Sequence, residues 1–176
     1  MNDAAISIRV LDSADAKSFQ RLRLSGLLES PEAFCSSHVQ EADTPLTEIA
    51  ERLKPEDDWS WILGAFTAEG ELVGLVGFHR ERGAKHAHKA MLWGFYVAPP
   101  LRGHGIGRRL IEQFMVRARA VTGLRQVKLS VNPAQTAAVR LYVSFGFRSF
   151  GRESHALKIG EAYFDEEYMV LLLGDG

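Results

Sequence analysis

The segment that most constrains this chain is Val97-Ala-Pro-Pro-Leu-Arg-Gly-His-Gly-Ile-Gly-Arg-Arg-Leu-Ile111. An apolar run, Met91 to Val97, leads into it, and an amphipathic helical pattern leads out. Gly103, Gly105 and Gly107 stand on alternate positions between the two. Glycine lets a backbone come close to a ligand. The first N–H groups of a helix lack internal partners and lie at the positive end of its dipole. A strand, a glycine loop and a helix start in that order make a cradle for a pyrophosphate. Arg102, Arg108 and Arg109 are expected to add positive charge there. Two known cradles fit poorly. A P-loop needs Lys then Ser or Thr after its glycines, where this chain has Arg108-Arg109. A Rossmann loop needs Gly-x-Gly-x-x-Gly and an acidic residue ending the next strand. Here the spacing is Gly-x-Gly-x-Gly and the next strand ends in Ser130-Val131-Asn132. A tight βα turn without ligand is the plain alternative.

A second segment, Leu129-Ser-Val-Asn-Pro-Ala-Gln-Thr-Ala-Ala-Val-Arg-Leu-Tyr-Val-Ser-Phe-Gly-Phe147, narrows the choice. Asn132 ends a strand and precedes Pro133, which predicts Asn132 as the N-cap of a helix with proline in its first turn. Ala134, Ala137, Ala138 and Leu141 fall at helical spacing and give a thin face against which something can lie close. Gly146 ends the helix and Phe147 re-enters the core. On residue type alone, Asn132 could be a plain cap and Tyr142 a core tyrosine. Taken together, the Arg102-Gly-His-Gly-Ile-Gly107 loop and this later segment resemble the two signatures of the GNAT N-acetyltransferase superfamily.

Composition fits a compact enzyme. At 176 residues the chain is expected to form one domain spanning 1–176. It can bury roughly 70% of its unfolded surface. Net charge is −1, which offers no general attraction to nucleic acid or anionic membrane. One cysteine gives no intrachain disulfide and no cysteine-based zinc site, and no metal is expected. His86-x-His88 beside Lys85 and Lys89 makes a poor metal site. Met1-Asn-Asp-Ala-Ala does not read as a signal peptide, no apolar run is long enough to span a membrane, and a cytoplasmic location is the default expectation.

Periodicity and turn residues predict strands at about Ile6–Leu11, Trp59–Ala68, Leu72–Arg82, His86–Val97, Arg125–Val131, Phe147–Lys158 and Glu166–Leu173. Helices are predicted from Asp12-Ser13 to Glu29, from Thr44-Pro45 to Leu53, and over Ile106–Val121 and Ala134–Phe145. Ser30 to Ser37 reads as a loop. The resemblance implies an α+β fold: a mixed, mostly antiparallel, twisted sheet of about seven strands flanked by helices and split between the fourth and fifth strands.

It also implies acetyl-CoA as cosubstrate, lying in that split. Backbone groups of Phe95, Tyr96 and Val97 would bind the pantetheine arm. The amides of Arg102, Gly103, His104, Gly105, Ile106 and Gly107 would surround the pyrophosphate, and the Asn132 side chain would bond a pantetheine amide. Tyr142 would lie near the sulfur as general acid, with the Val97 N–H as oxyanion donor. The implied reaction is direct attack by a primary amine, with a small molecule as acceptor. A protein N-terminus or lysine, or a non-catalytic acyl-CoA-binding module, are the alternatives, and a homodimer is left open.

The general base is not visible. Many relatives use a glutamate on the fourth strand, but His86 to Val97 carries no carboxylate. On residue type, His79 and Glu32 are candidates, followed by Glu153, His155 and the acidic turn at Asp165. Cys35 with His38 could be drawn as nucleophile and base, though a lone cysteine is more often simply a small buried residue. Asp165-Glu166-Glu167 reads as a solvated turn; bordering the acceptor mouth, it would favour cationic amines.

Overall fold

A computed structural model describes residues 6–174, so the reading of Met1 to Ala5 lies outside the described residues. The strands are β1 (Ser7–Val10), β2 (Ser60–Phe66), β3 (Leu72–Arg80), β4 (Lys89–Val97), β5 (Gln126–Val131), β6 (Arg148–Ile159) and β7 (Ala162–Leu172). The helices are α1 (Ala16–Glu29), α2 (His38–Ala42), α3 (Leu46–Arg52), α4 (Ile106–Ala120) and α5 (Thr136–Ser144). The strands form one seven-stranded sheet in the order β1-β2-β3-β4-β5-β7-β6. Every pairing is antiparallel except β4 with β5.

The predicted order holds, with one helix added. The Ser30 to Ser37 loop runs into α2, which Ser37 and Gln40 start with a reciprocal capping box. At five residues α2 is too short for periodicity to reveal. The acidic run Asp165-Glu166-Glu167 lies inside β7, and the turn falls at Gly160-Glu161 instead.

Each face of the sheet has its own core. On one face, Trp61, Phe78 and Leu92 pack against Leu110, Ile111 and Phe114 of α4. The Trp61 and Phe78 rings stack at 4.6 Å, with Phe114 tilted against both. On the other face, Ile62, Leu75 and Tyr96 pack against Leu22 and Leu27 of α1, Ile49 of α3 and Leu53 just past its end. Burying each such side chain contributes about 1.5–3 kcal/mol, which fixes the layers.

Two irregularities open the sheet. The parallel β4–β5 ladder pairs Lys89, Ala90 and Met91 with Gln126, Val127 and Lys128 and goes no further. Beyond it, Leu129 to Val131 pair only with β7, and the strands diverge. In β4 a bulge sets Gly94 and Phe95 opposite the single residue between Leu75 and Gly77. Gly94 takes φ +64°, where other residues are strained. The extra residue also reverses the alternation of side chains. Ala90 and Leu92 belong to the α4 core and Trp93 packs on the α1 core, but past the bulge Phe95 and Val97 return to the α4 side.

Candidate active site

Through the split runs a cleft of about 480 Å³. Its lining joins the glycine loop and the start of α4 to the end of β4, the end of β5, α5 and the loop after α1.

The loop is built as an anion cradle. Gly105 is the N-cap of α4 at φ +77°, a left-handed conformation that explains glycine there. A β-carbon on Gly103 or Gly105 would meet nothing within 4 Å, so open space borders both, and both line the cleft. Gly107 faces inward, where a β-carbon would lie 3.0 Å from the Phe95 ring. The first α4 amides have no helical acceptor, since the first helical bond here runs from Arg109 N–H to the Gly105 carbonyl at 3.0 Å.

The loop side chains depart from expectation. Arg102 does not offer its charge to the cradle: it donates to both oxygens of Glu29 at 3.0 and 2.7 Å and, through Nε, to the Val97 carbonyl at 2.9 Å. Its amide is also used, donating to Pro99 at 3.2 Å. Arg109 turns away to the Ile6 carbonyl at 2.7 Å. Arg108 is the loop arginine that lines the cleft without such a tie, held at Ser144 Oγ and over the Phe145 ring. His104 bonds back to the Arg102 carbonyl and is not part of the lining. Glu29, held by Arg102, has its carboxyl below the usual range.

The end of β4 presents backbone to the split. Ala98 N–H donates to Val73 at 2.9 Å, and Val97 pairs opposite Gly74. Alternation along an antiparallel ladder then turns the N–H and carbonyl of Val97 away from β3 and towards the split. The Arg102 bond to the Val97 carbonyl agrees with that direction. Tyr96, opposite Leu75, faces β3 with its backbone and contributes its ring instead. Burial, and then the nearby Glu29, push the Tyr96 hydroxyl pKa up.

Tyr142 lines the cleft from α5 at 4% exposure, wedged edge-on between Phe95 and Phe147, both 5.8 Å away. Burial raises its pKa well above the ordinary tyrosine value, so it stays protonated. Ala137, Ala138 and Leu141 form the thin face beside it, while Ala134, expected on the same face, lies in the turn before α5 and outside the lining. Asn132 lines the cleft but does not cap α5, whose N-cap is Gln135. Asn132 folds a turn instead: its Oδ1 accepts from Ala134 N–H at 2.9 Å and its carbonyl from Gln135 N–H at 2.9 Å. That turn delays the helix and leaves Pro133 outside it. The Asn132 amide points at the Glu32 carbonyl, 3.5 Å away.

The opposite face of the split holds residues that the sequence did not single out for the cleft. Phe34 and Ser130 line it there. Ser130 Oγ donates to Glu166 Oε1 at 3.2 Å, and the Cys35 thiol donates to the same oxygen at 3.6 Å rather than to His38. Gln135 ties the loop to the β5 side by donating to Glu32 Oε1 at 2.9 Å. His79 and Glu32 are absent from the lining, as are Glu153, His155 and the acidic residues Asp165, Glu166 and Glu167. Among the described residues, no group of three or more His, Cys, Asp or Glu could hold a metal ion, and no helix is long and apolar enough to cross a membrane.

This arrangement coincides with a family model. Residues 26–147 match the model described as the acetyltransferase (GNAT) family, a span that holds both walls of the split and the glycine loop. The chain belongs to that family. Among solved structures, this GNAT chain is similar to a GNAT-family acetyltransferase from Streptococcus pneumoniae, with TM-score 0.87, 24% identity and coverage of 96% of this chain and 100% of that one. It is also similar to a GCN5-related N-acetyltransferase from Kribbella flavida, with TM-score 0.80, 24% identity and coverage of 96% and 98%. A curated relative, a mycothiol acetyltransferase from Thermobispora bispora, is 35% identical over 117 residues, covering 64% of this chain and 38% of its own length. A second, from Actinosynnema mirum, is 33% identical over 105 residues, covering 54% and 32%. The chain thus spans about a third of the length of these curated relatives.

Proposed function

We propose that this chain is an acetyl-CoA-dependent N-acetyltransferase that passes the acetyl group directly to a primary amine of a small molecule. The observation that carries the reading is one continuous cleft, which connects the glycine cradle through the split to the far face of the sheet. A phosphate-bearing, extended thioester suits such a passage. The free amides at the start of α4, with Arg108, meet the pyrophosphate. Val97 offers its N–H to the thioester oxygen as negative charge develops. Tyr142 gives a proton to the departing sulfur. The two walls hold both reactants in line, which lowers the entropic part of the barrier. A solved neighbour, a putative acetyltransferase from Salmonella typhimurium, was determined with acetyl-CoA as its cofactor, in keeping with this reading.

A small acceptor is favoured over a protein by the Gln135–Glu32 bond, which ties the loop after α1 to the start of α5 beside the cleft. The name of the mycothiol acetyltransferase relatives points the same way. Thiol release from acetyl-CoA, measured with small primary amines, with peptides and with no acceptor, tests the proposal. Release that requires a small amine supports it. Release with peptides alone moves the acceptor to proteins, and binding without release under any condition leaves an acyl-CoA-binding module.

A further inference from the structure

The reaction requires a group that takes a proton from the incoming amine, whose pKa is about 10 before binding. β4 carries no carboxylate, and Glu166 lies outside the cleft lining as the other acidic and histidine candidates do, so a carboxylate reaches the amine only through a residue that does line the cleft. Two serine hydroxyls in the lining donate to a carboxylate: Ser30 to Glu29, whose charge Arg102 already pairs, and Ser130 to Glu166. Ser130 and Lys128 share the face of β5 opposite to the buried Val127, Leu129 and Val131. Ser130 stands opposite Tyr168 on β7, and Glu166 is two residues from Tyr168 on the same face, so the Ser130 hydroxyl reaches Glu166 Oε1 at 3.2 Å.

We propose that Ser130 and Glu166 act as a proton relay for the acceptor amine, with Ser130 touching the amine and Glu166 holding the proton. The proposal rests on the acyltransferase reading. The acceptor ammonium gives a proton to Ser130 Oγ while Ser130 passes its own to Glu166, which releases it to solvent. The freed lone pair attacks the thioester carbon, so an N–C bond forms and the C–S bond breaks. Tyr142 protonates the thiolate. A second proton leaves the nitrogen as the amide forms and balances the one that Tyr142 gave up. Acid and base thus stand on opposite faces of one sheet, with the split between them.

The groups facing Glu166 come from three directions. Cys35 donates to it from the loop after α1. Tyr168 lies two residues along β7 on the same face, with its hydroxyl turned to Glu153. Glu153 is its register partner on β6. Arg23 of α1, which acts on Cys35, is already paired with Glu41. The Arg152–Glu167 pair lies at the neighbouring β7 position, on the other face. No cation neutralises Glu166 directly in these contacts, which suits a group that receives a proton.

The test compares two nucleophiles: a primary alkylamine, charged at neutral pH, and hydroxylamine, uncharged there. Glu166→Gln and Ser130→Ala should each lose about thirtyfold or more in kcat/KM with the alkylamine and no more than about threefold with hydroxylamine. In both variants the acid limb of the alkylamine profile should move up towards the pKa of the amine itself. Ser130→Thr should restore the limb, and acetyl-CoA affinity should stay at the wild-type value throughout. An equal loss with both nucleophiles, or an unchanged pH profile, overturns the relay while leaving the acyltransferase reading intact. A wild-type protein that binds acetyl-CoA but releases no thiol with any amine overturns that reading, and the relay with it.

Discussion

Arg102 and Glu29 form a two-pronged ion pair that ties the first residue of the glycine loop to the last turn of α1, with N–O distances of 3.0 and 2.7 Å. The arginine most conspicuous in the loop motif therefore holds the loop in place rather than meeting phosphate. If so, Arg102→Gln and Glu29→Gln should weaken acetyl-CoA binding by similar, modest factors, and the double variant should be no worse than either alone. A double-mutant cycle in calorimetry checks this. A much larger loss for Arg102→Gln would assign its charge to the ligand instead.

Gly105→Asp should weaken acetyl-CoA binding at least about tenfold, because it places a β-carbon at φ +77° and a negative charge in the cradle. Circular dichroism establishes that the variant is folded before its affinity is measured. Wild-type affinity in a folded variant would remove the cradle from the account.

Tyr142→Phe keeps the ring between Phe95 and Phe147 and removes only the hydroxyl. Its kcat should fall about 100-fold while the Kd for acetyl-CoA holds. Burial raises the pKa of Tyr142, so the acid form persists through the alkaline range, and the wild-type rate should show no fall from its ionisation where free tyrosine titrates.

Asp15 accepts both prongs of Arg9 at 2.7 Å and the Asp12 amide at 2.9 Å. The Arg9 bonds, chiefly, hold its carboxyl below the usual range. A depressed carboxylate stabilises the fold above its unfolded pKa of about 4, and that contribution is lost as pH falls through the folded value. Asp15→Asn should therefore cost about 1–2 kcal/mol at neutral pH, with the gap from wild type closing in acid, as denaturant titrations at both pH values would reveal.

Cys35 is exposed rather than buried, yet partial desolvation first and Glu166 second raise its thiol pKa. Alkylation of this thiol should be slow at neutral pH and become faster in Glu166→Gln, where a negative neighbour is gone. Unchanged alkylation rates would separate the two residues in solution.

The strand and helix order was legible because each element carries its own period and its own punctuation. Gly105 and Gly107 marked the cradle because their backbone and packing positions tolerate little else. The Tyr142 position followed from the same helical spacing as Ala138 and Leu141. Three features were not legible. Asn132 had the composition of a helix cap, but its own side chain folded a tighter turn first. The direction of Arg102 depended on Glu29, far away in the chain. Glu166 looked solvated because its neighbours Ser130 and Cys35 come from other elements. Local pattern reports what a residue prefers, and long-range pairing decides what it meets.

The bulge at Gly94 has a consequence for how such a site can be lost. Completing a sheet is ordinarily favourable, because each new ladder bond satisfies a donor and an acceptor. β4 and β5 begin to complete theirs at Lys89 to Met91 and are then bent apart. The site survives as an interrupted closure, kept ajar by one surplus residue. Removing Gly94 would let Trp93 run straight into Phe95 and relax the bend. The shortened chain would have the more regular sheet, and with it a sealed seam where the reactants now meet.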